Sequence, residues 1–146
     1  MIRILHRIAG VTGMLTIAAF WGSTVAAEAL GGPAVILAVK TAILWGLFVL
    51  VPAMAITGAT GFRMAGGTMD PHIISKRRRM PFIALNGLLV LVPCALFLHA
   101  KAASGEFGSV FALVQAIELV AGAANLVLMG LNLRDGRALT GRVVTA

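Results

Sequence analysis

Charge is what this chain has least of. Only 12% of its 146 residues are Asp, Glu, Lys or Arg, about half the share usual in a soluble domain. Together with a mean hydropathy of +1.00, that excludes a water-soluble enzyme, a secreted disulfide-stapled module and a disordered tail. Cysteine is nearly absent as well. The lone Cys94 cannot close an intramolecular disulfide and has no partner for a CxxC metal or redox motif. Acids are few, five against twelve Lys and Arg, for a net charge of +7. Such an excess suggests nucleic acid only until the charges are located. Also missing are a nucleophile–base pair, a metal-ligand cluster and a phosphate-cradling loop, which argues against a hydrolase or a kinase.

Long apolar runs are what the chain does have. A hydrocarbon layer of about 30 Å needs roughly 20 apolar helical residues, and four segments reach that length: Ile4–Ala27, Ala34–Thr60, Pro81–Ala100 and Phe107–Leu133. Gly31-Gly32-Pro33 breaks the first pair and Ser104-Gly105-Glu106 the last. Between the pairs lies the one long polar stretch, residues 62–79, expected to be a loop. Arg3 and Arg7 before the first run look like the start of a signal peptide, and Ser23-Thr24-Val25-Ala26-Ala27 resembles a cleavage site. The run is nevertheless longer than a usual signal core, so the segment reads as a retained span.

The basic residues orient these spans. Arg3, Arg7, Arg63, Lys76, Arg77, Arg78, Arg79, Arg134, Arg137 and Arg142 fall on one side of a four-span chain, and only Lys40 and Lys101 lie toward the other. By the positive-inside rule both termini and the long loop are expected in the cytoplasm of a bacterial inner membrane. The fold class that follows is all-α: a polytopic, up-down four-transmembrane-helix bundle forming a single domain over residues 1–146. The basic excess is then a topology signal with attraction for anionic lipid headgroups, and nucleic acid is not an expected partner. Lys76-Arg77-Arg78-Arg79 anchors the third helix at the headgroups, with Pro81 near its start. Arg134-Asp135-Gly136-Arg137 caps the exit of the fourth.

Polar side chains inside the spans are costly and therefore informative. On the fourth, Gln115, Glu118, Gly122, Asn125, Met129 and Asn132 recur at helical spacing on one face. This stripe reads either as interhelical hydrogen bonding around a close glycine contact or as the lining of a ligand or proton path. Glu118 lies roughly 15 Å along its helix, and an unpaired carboxylate there must be protonated or paired. Lys40, about 9 Å from the same end, is the available cation; whether the two meet is left open. The first helix has a face of its own in His6, Gly10, Gly13, Ile17, Phe20 or Trp21, Thr24 and Glu28. Its glycines permit close approach of a second helix or of a flat cofactor. The third contributes Asn86 and Pro93, and the second Pro52 and Gly58. Gly46-Leu47-Phe48-Val49-Leu50-Val51-Pro52 is nearly repeated as Gly87-Leu88-Leu89-Val90-Leu91-Val92-Pro93, and the prolines predict kinks in both spans.

Three histidines raise the question of a haem b, which a bundle clamps with two side chains at one depth. His99 is at the far end from the others. His6 can meet His72 only if the long loop folds back, or can pair with a methionine instead. No two histidines sit on two helices at matched depth, and each also reads simply as an interfacial side chain.

Leu5-His6-Arg7-Ile8-Ala9-Gly10 resembles the His-Arg-x-x-Gly opening of the cytochrome b membrane anchors of succinate dehydrogenases. That resemblance, over about six residues, implies a quinone site beside a haem, with Arg7 donating to a quinone carbonyl and His6 as donor or iron ligand. The family's separate haem-ligand motif has no counterpart in this chain. Over its whole length the sequence resembles small four-helix proteobacterial inner-membrane proteins of unassigned function. Ala38-Val39-Lys40, Ile43-Leu44-Trp45-Gly46, Arg78-Arg79-Met80-Pro81-Phe82-Ile83-Ala84, Asn86-Gly87 and Leu131-Asn132-Leu133-Arg134-Asp135-Gly136 carry that likeness.

Three functions are compatible with these residues. One is a small b-type cytochrome or quinone-interacting electron-transfer subunit centred on His6, Arg7 and His72. Another is an accessory or assembly subunit that binds lipid and partner helices, as a homo-oligomer or in a larger membrane complex. The third is a minimal proton-coupled transporter using Lys40 and Glu118.

Overall fold

The computed structural model describes residues 1–66 and 71–144, without the side chains of residues 65, 71–73, 76, 77 and 138–144. Helix accounts for nearly all of it: α1 (Ile2–Leu30), α2 (Pro33–Ala65), α3 (Pro71–Asn86), a π-helical turn (Gly87–Leu91), α4 (Val92–Ala103) and α5 (Ser109–Val144). Four stretches are long and apolar enough to cross a membrane: Ile2–Leu30, Pro33–Met64, Arg78–Ala103 and Ser109–Arg137. The third is composite, made of most of α3, the π turn and α4.

Antiparallel pairing follows from the contacts. His6 near the start of α1 meets Thr60 near the end of α2, and Phe20 further along lies on Gly46. Gly10 and Gly13 let Thr57 and Met54 of α2 come close, so the glycine face of α1 receives a second helix. The turn between the two helices is only Gly31-Gly32, and Pro33 opens α2 at a position where its missing N–H costs no helical bond. Around the bundle α1 touches α2 and α5, and the third span touches α2 and α5. Within the described residues α2 and α5 make no close backbone approach, so they stand on a diagonal.

Two apolar layers form the core. At the end with short turns, Ala27, Ile36, Leu98, Ala102 and Phe111 pack together. Toward the end that carries the start of α1, Ile17, Ile83 and Met129 form the second, lined by Met14, Leu50, Met54, Met80, Leu126 and Leu128. On α5 the buried positions Phe111, Gln115, Gly122, Asn125, Met129 and Asn132 follow a repeat of three and four residues, the spacing of left-handed helix packing. The expected polar stripe is thus the inward face. Large side chains such as Trp45, Phe48, Leu89 and Val120 point outward, as lipid-facing positions must.

Much of the polar stretch expected as a loop is helical: α2 runs through Ala65 and α3 starts at Pro71, which leaves 62–65 and 71–79 in helix. Pro81 therefore lies inside α3 instead of opening a helix. Lys and Arg are good helix formers, and Pro81 leaves only one carbonyl of the helical ladder without its N–H donor. α5 likewise continues past residues 134–137, which do not end it.

Of the two prolines expected to bend their spans, Pro93 coincides with a local change of helix type. Having no N–H, it cannot bond the Leu89 carbonyl, and the preceding N–H, that of Val92, reaches back to Gly87. Pro52, at the end of the matching heptapeptide, leaves α2 continuous. The near-repeat does not yield the same local structure twice.

Between α1 and α5, the indole of Trp21 lies over Gly122, where an added Cβ would stand 3.0 Å from Cδ1. Its Nε1 donates to the Leu119 carbonyl at 2.9 Å. The ring cannot swing away without losing that bond, so Gly122→Val should destabilise the bundle by about 1–3 kcal/mol. A lowered thermal midpoint in detergent, with a change in Trp21 emission, is the expected reading.

Candidate functional site

Three polar layers are stacked along α5. The one nearest the short-turn end centres on Lys40, which points inward from α2 and is 1% exposed. Its Nζ donates to Glu118 Oε2 at 2.6 Å. Gln115 Nε2 donates to the same oxygen at 3.0 Å. The pair left open by depth alone therefore forms, and it joins the two helices that stand diagonally across the bundle. One turn toward the short-turn end, Ile36, Leu98 and Phe111 form an apolar plug over it. On its other side lies the methionine-lined layer. Glu28 on α1 is near enough to feel both the Lys40 ammonium and the Glu118 carboxylate, and Cys94 on α4 is within the same field.

Midway along the bundle Asn86, at the end of α3, donates to the Ala121 carbonyl at 2.8 Å and to Asn125 Oδ1 at 2.9 Å. Asn125, 1% exposed, returns a donor to the Ile83 carbonyl at 3.4 Å. These amides stitch the third span to α5 and help to satisfy carbonyls beside the π turn, where the regular ladder is interrupted.

The third layer lies at the basic end. Arg79 pairs with Asp135 at 2.7 Å and also reaches Asn132 Oδ1 at 3.5 Å, while Asn132 Nδ2 approaches Met80 Sδ at 3.6 Å. Asp135 is buried, not a cap as expected; it belongs to the inward stripe one turn beyond Asn132. Arg79 is accordingly a helix-to-helix partner and not simply a headgroup anchor. Arg63, Arg78, Arg134 and Arg137 are exposed around it.

His6 is nearly buried between α1 and α2. Its Nδ1 shares a hydrogen bond of 3.0 Å with Thr60 Oγ1, and Cε1 lies 3.2 Å from where a Cβ on Gly61 would stand. Arg7 is exposed on the outside of the helix. The side chain of His72 lies outside the described residues, so the His6–His72 juxtaposition lies outside them too. Among the described residues no three His, Cys, Asp or Glu side chains converge as a metal site. His99, at the other end, borders an open groove of about 340 Å³ with Thr41, Leu44, Trp45 and Phe48.

Of the residues read as intramembrane polar, Lys40, Gln115 and Asn125 are buried and Asn86 and Glu118 partly so; hydrogen bonds join Lys40, Gln115 and Glu118 in one group and Asn86 and Asn125 in another. It missed the Arg79–Asp135 bond, although Asp135 follows Asn132 at the stripe's own spacing. It also missed Thr60 as the partner of His6, for which a threonine in an apolar run gives no signal. No protein-family model matches the chain, and neither a curated protein nor a solved structure matches it.

A buried ion pair is costly to break because the remaining charge stays in low dielectric. Lys40→Met should therefore cost about 3–5 kcal/mol in detergent unfolding, and adding Glu118→Leu should recover a large part of the loss. Equal and additive losses would mean that the two side chains act independently.

Proposed function

We propose that the protein is a multi-pass bacterial inner-membrane protein, with its termini and basic end in the cytoplasm, that works as a minimal proton-coupled carrier. The supporting observation is the Lys40–Glu118 pair, closed across a diagonal where the two helices have no backbone contact. Side-chain charge, and not close packing, holds α2 to α5 there. A proton delivered to Glu118 cancels the attraction and releases the diagonal; its departure restores the closed arrangement. A bundle whose closure depends on one proton is a two-state element of the kind that carriers need. The exposed arginines of the basic end suit anionic headgroups, and the apolar outside suits either lipid or a second helical protein.

In liposomes with an entrapped pH indicator, the wild-type chain should dissipate an imposed pH gradient faster than protein-free vesicles. Glu118→Gln should return the rate to that baseline while keeping a monodisperse profile in detergent. A wild-type rate equal to that of empty vesicles would leave the accessory role, and co-purification with a larger complex would then be the outcome to seek.

The redox reading, with haem b or quinone at His6, Arg7 and His72, rests on the six-residue resemblance. For the carrier reading, oxidised and dithionite-reduced visible spectra of protein from haem-supplemented cells should coincide. A Soret band at one haem per chain, lost in His6→Ala, would overturn it in favour of a cytochrome.

A further inference from the structure

The charge balance of the layer around Lys40 is incomplete. One ammonium has two carboxylates within electrostatic range, Glu118 from α5 in direct contact at 2.6 Å and Glu28 from α1, which forms no ion pair with it. In a low-dielectric surrounding an unmatched charge is expensive, and such a cluster reaches neutrality by gaining one proton. The other titratable groups nearby are accounted for. Cys94 is the thiol facing the cluster from α4. At the rim Lys101 is paired with Glu106 at 2.7 Å, and His99 borders the groove with Trp45.

Two oxygens in the layer are buried with no hydrogen-bond partner: Oε1 of Glu28 and Oε1 of Gln115. Gln115 is 5% exposed, and its amide nitrogen is committed to Glu118, so its carbonyl is an acceptor lacking a donor. The contacts of Trp21 with Leu119 and of Gly13 with Met129 set the antiparallel register of α1 and α5. Carried along both helices, that register brings Glu28 level with the turn holding Gln115. Glu28 is itself only half-buried, and it stands two residues from the end of α1. Next to it Ala27 belongs to the apolar plug over Lys40 and Glu118. The side chain thus lies between the exposed end of α1 and the level of the ion pair.

We propose that Glu28 is the proton-exchanging group of this centre, taking its proton from the aqueous phase at the short-turn end and carrying it past the plug toward Gln115 and Glu118. The proton comes from water, forms an O–H bond on the Glu28 carboxylate and brings the cluster to zero net charge. It also provides a donor of the kind that the Gln115 carbonyl lacks. Transfer onward to Glu118 leaves Glu28 ionised and ready for the next proton. The direction of access rests on the carrier reading given above; the identity of the exchanging group does not.

The chain holds three glutamates, Glu28, Glu106 and Glu118, so carboxyl carbon-13 NMR of glutamate-labelled protein resolves every candidate. Glu106→Gln and Glu118→Gln assign two signals, and Glu28 is the third whether or not its own variant folds. We expect the Glu28 signal to respond to pH over a different range from that of the exposed Glu106. Gln115→Leu should weaken proton binding at Glu28 by about tenfold, the worth of one buried hydrogen bond, with the fold unchanged. A Glu28 signal that follows the exposed Glu106, or one indifferent to Gln115→Leu, overturns the proposal. Absent proton flux with this titration intact would instead defeat only the carrier reading. Wild-type flux retained in Glu28→Gln would defeat the entry role alone.

Discussion

An ammonium in hydrocarbon must have a counter-charge, and much of this bundle is arranged around that requirement for Lys40. Its partner comes from the helix diagonally opposite, so the charge is met at the centre of the bundle and not along a seam. Around this contact the four spans have to be close enough for a lysine stem and a glutamate to bridge them. Small residues on α1 bring α2 in, and Trp21 over Gly122 sets the distance to α5. The amides of Asn86 and Asn125 hold the third span to the remaining side. Apolar layers on both sides of the pair keep water out, which strengthens the attraction and makes loss of either partner costly.

The interior face of α5 was legible because lipid imposes a simple rule: a polar side chain at depth has to find protein. Gln115, Asn125 and Asn132 obey it, and their three-and-four spacing marks the buried face without any knowledge of neighbours. Depth along the helices likewise brought Lys40 and Glu118 to comparable levels. What depth cannot convey is lateral arrangement, and the pairing depends on which helices stand opposite. Pro81 misled for a local reason. After a basic run a proline resembles a helix start, yet α3 was already under way and passes through it. Asp135 misled because an Arg-Asp-Gly-Arg sequence looks like an exit from a helix, while its position on the stripe was the better guide.

The two heptapeptides ending in Pro52 and Pro93 show how far local sequence reaches. With almost the same residues, one stays in a continuous α-helix and the other contains a π turn. The difference lies in their neighbours. Gly46 lies under the ring of Phe20 on α1, whereas the residue preceding Gly87 is the asparagine drawn to the carbonyl of Ala121. A proline removes one hydrogen bond in both places; packing decides how the helix adjusts.

The 78 residues that separate Lys40 from Glu118 along the chain also impose an order on assembly. A polypeptide made from its N-terminus threads α1 and α2 into the bilayer as a hairpin long before α5 emerges. During that interval Lys40 is in the membrane and its final counter-ion has not been synthesised. The only acid on the hairpin is Glu28, twelve residues upstream across the Gly31-Gly32 turn. Until the fourth span arrives, Glu28 is thus the one carboxylate on the hairpin available to offset the Lys40 charge.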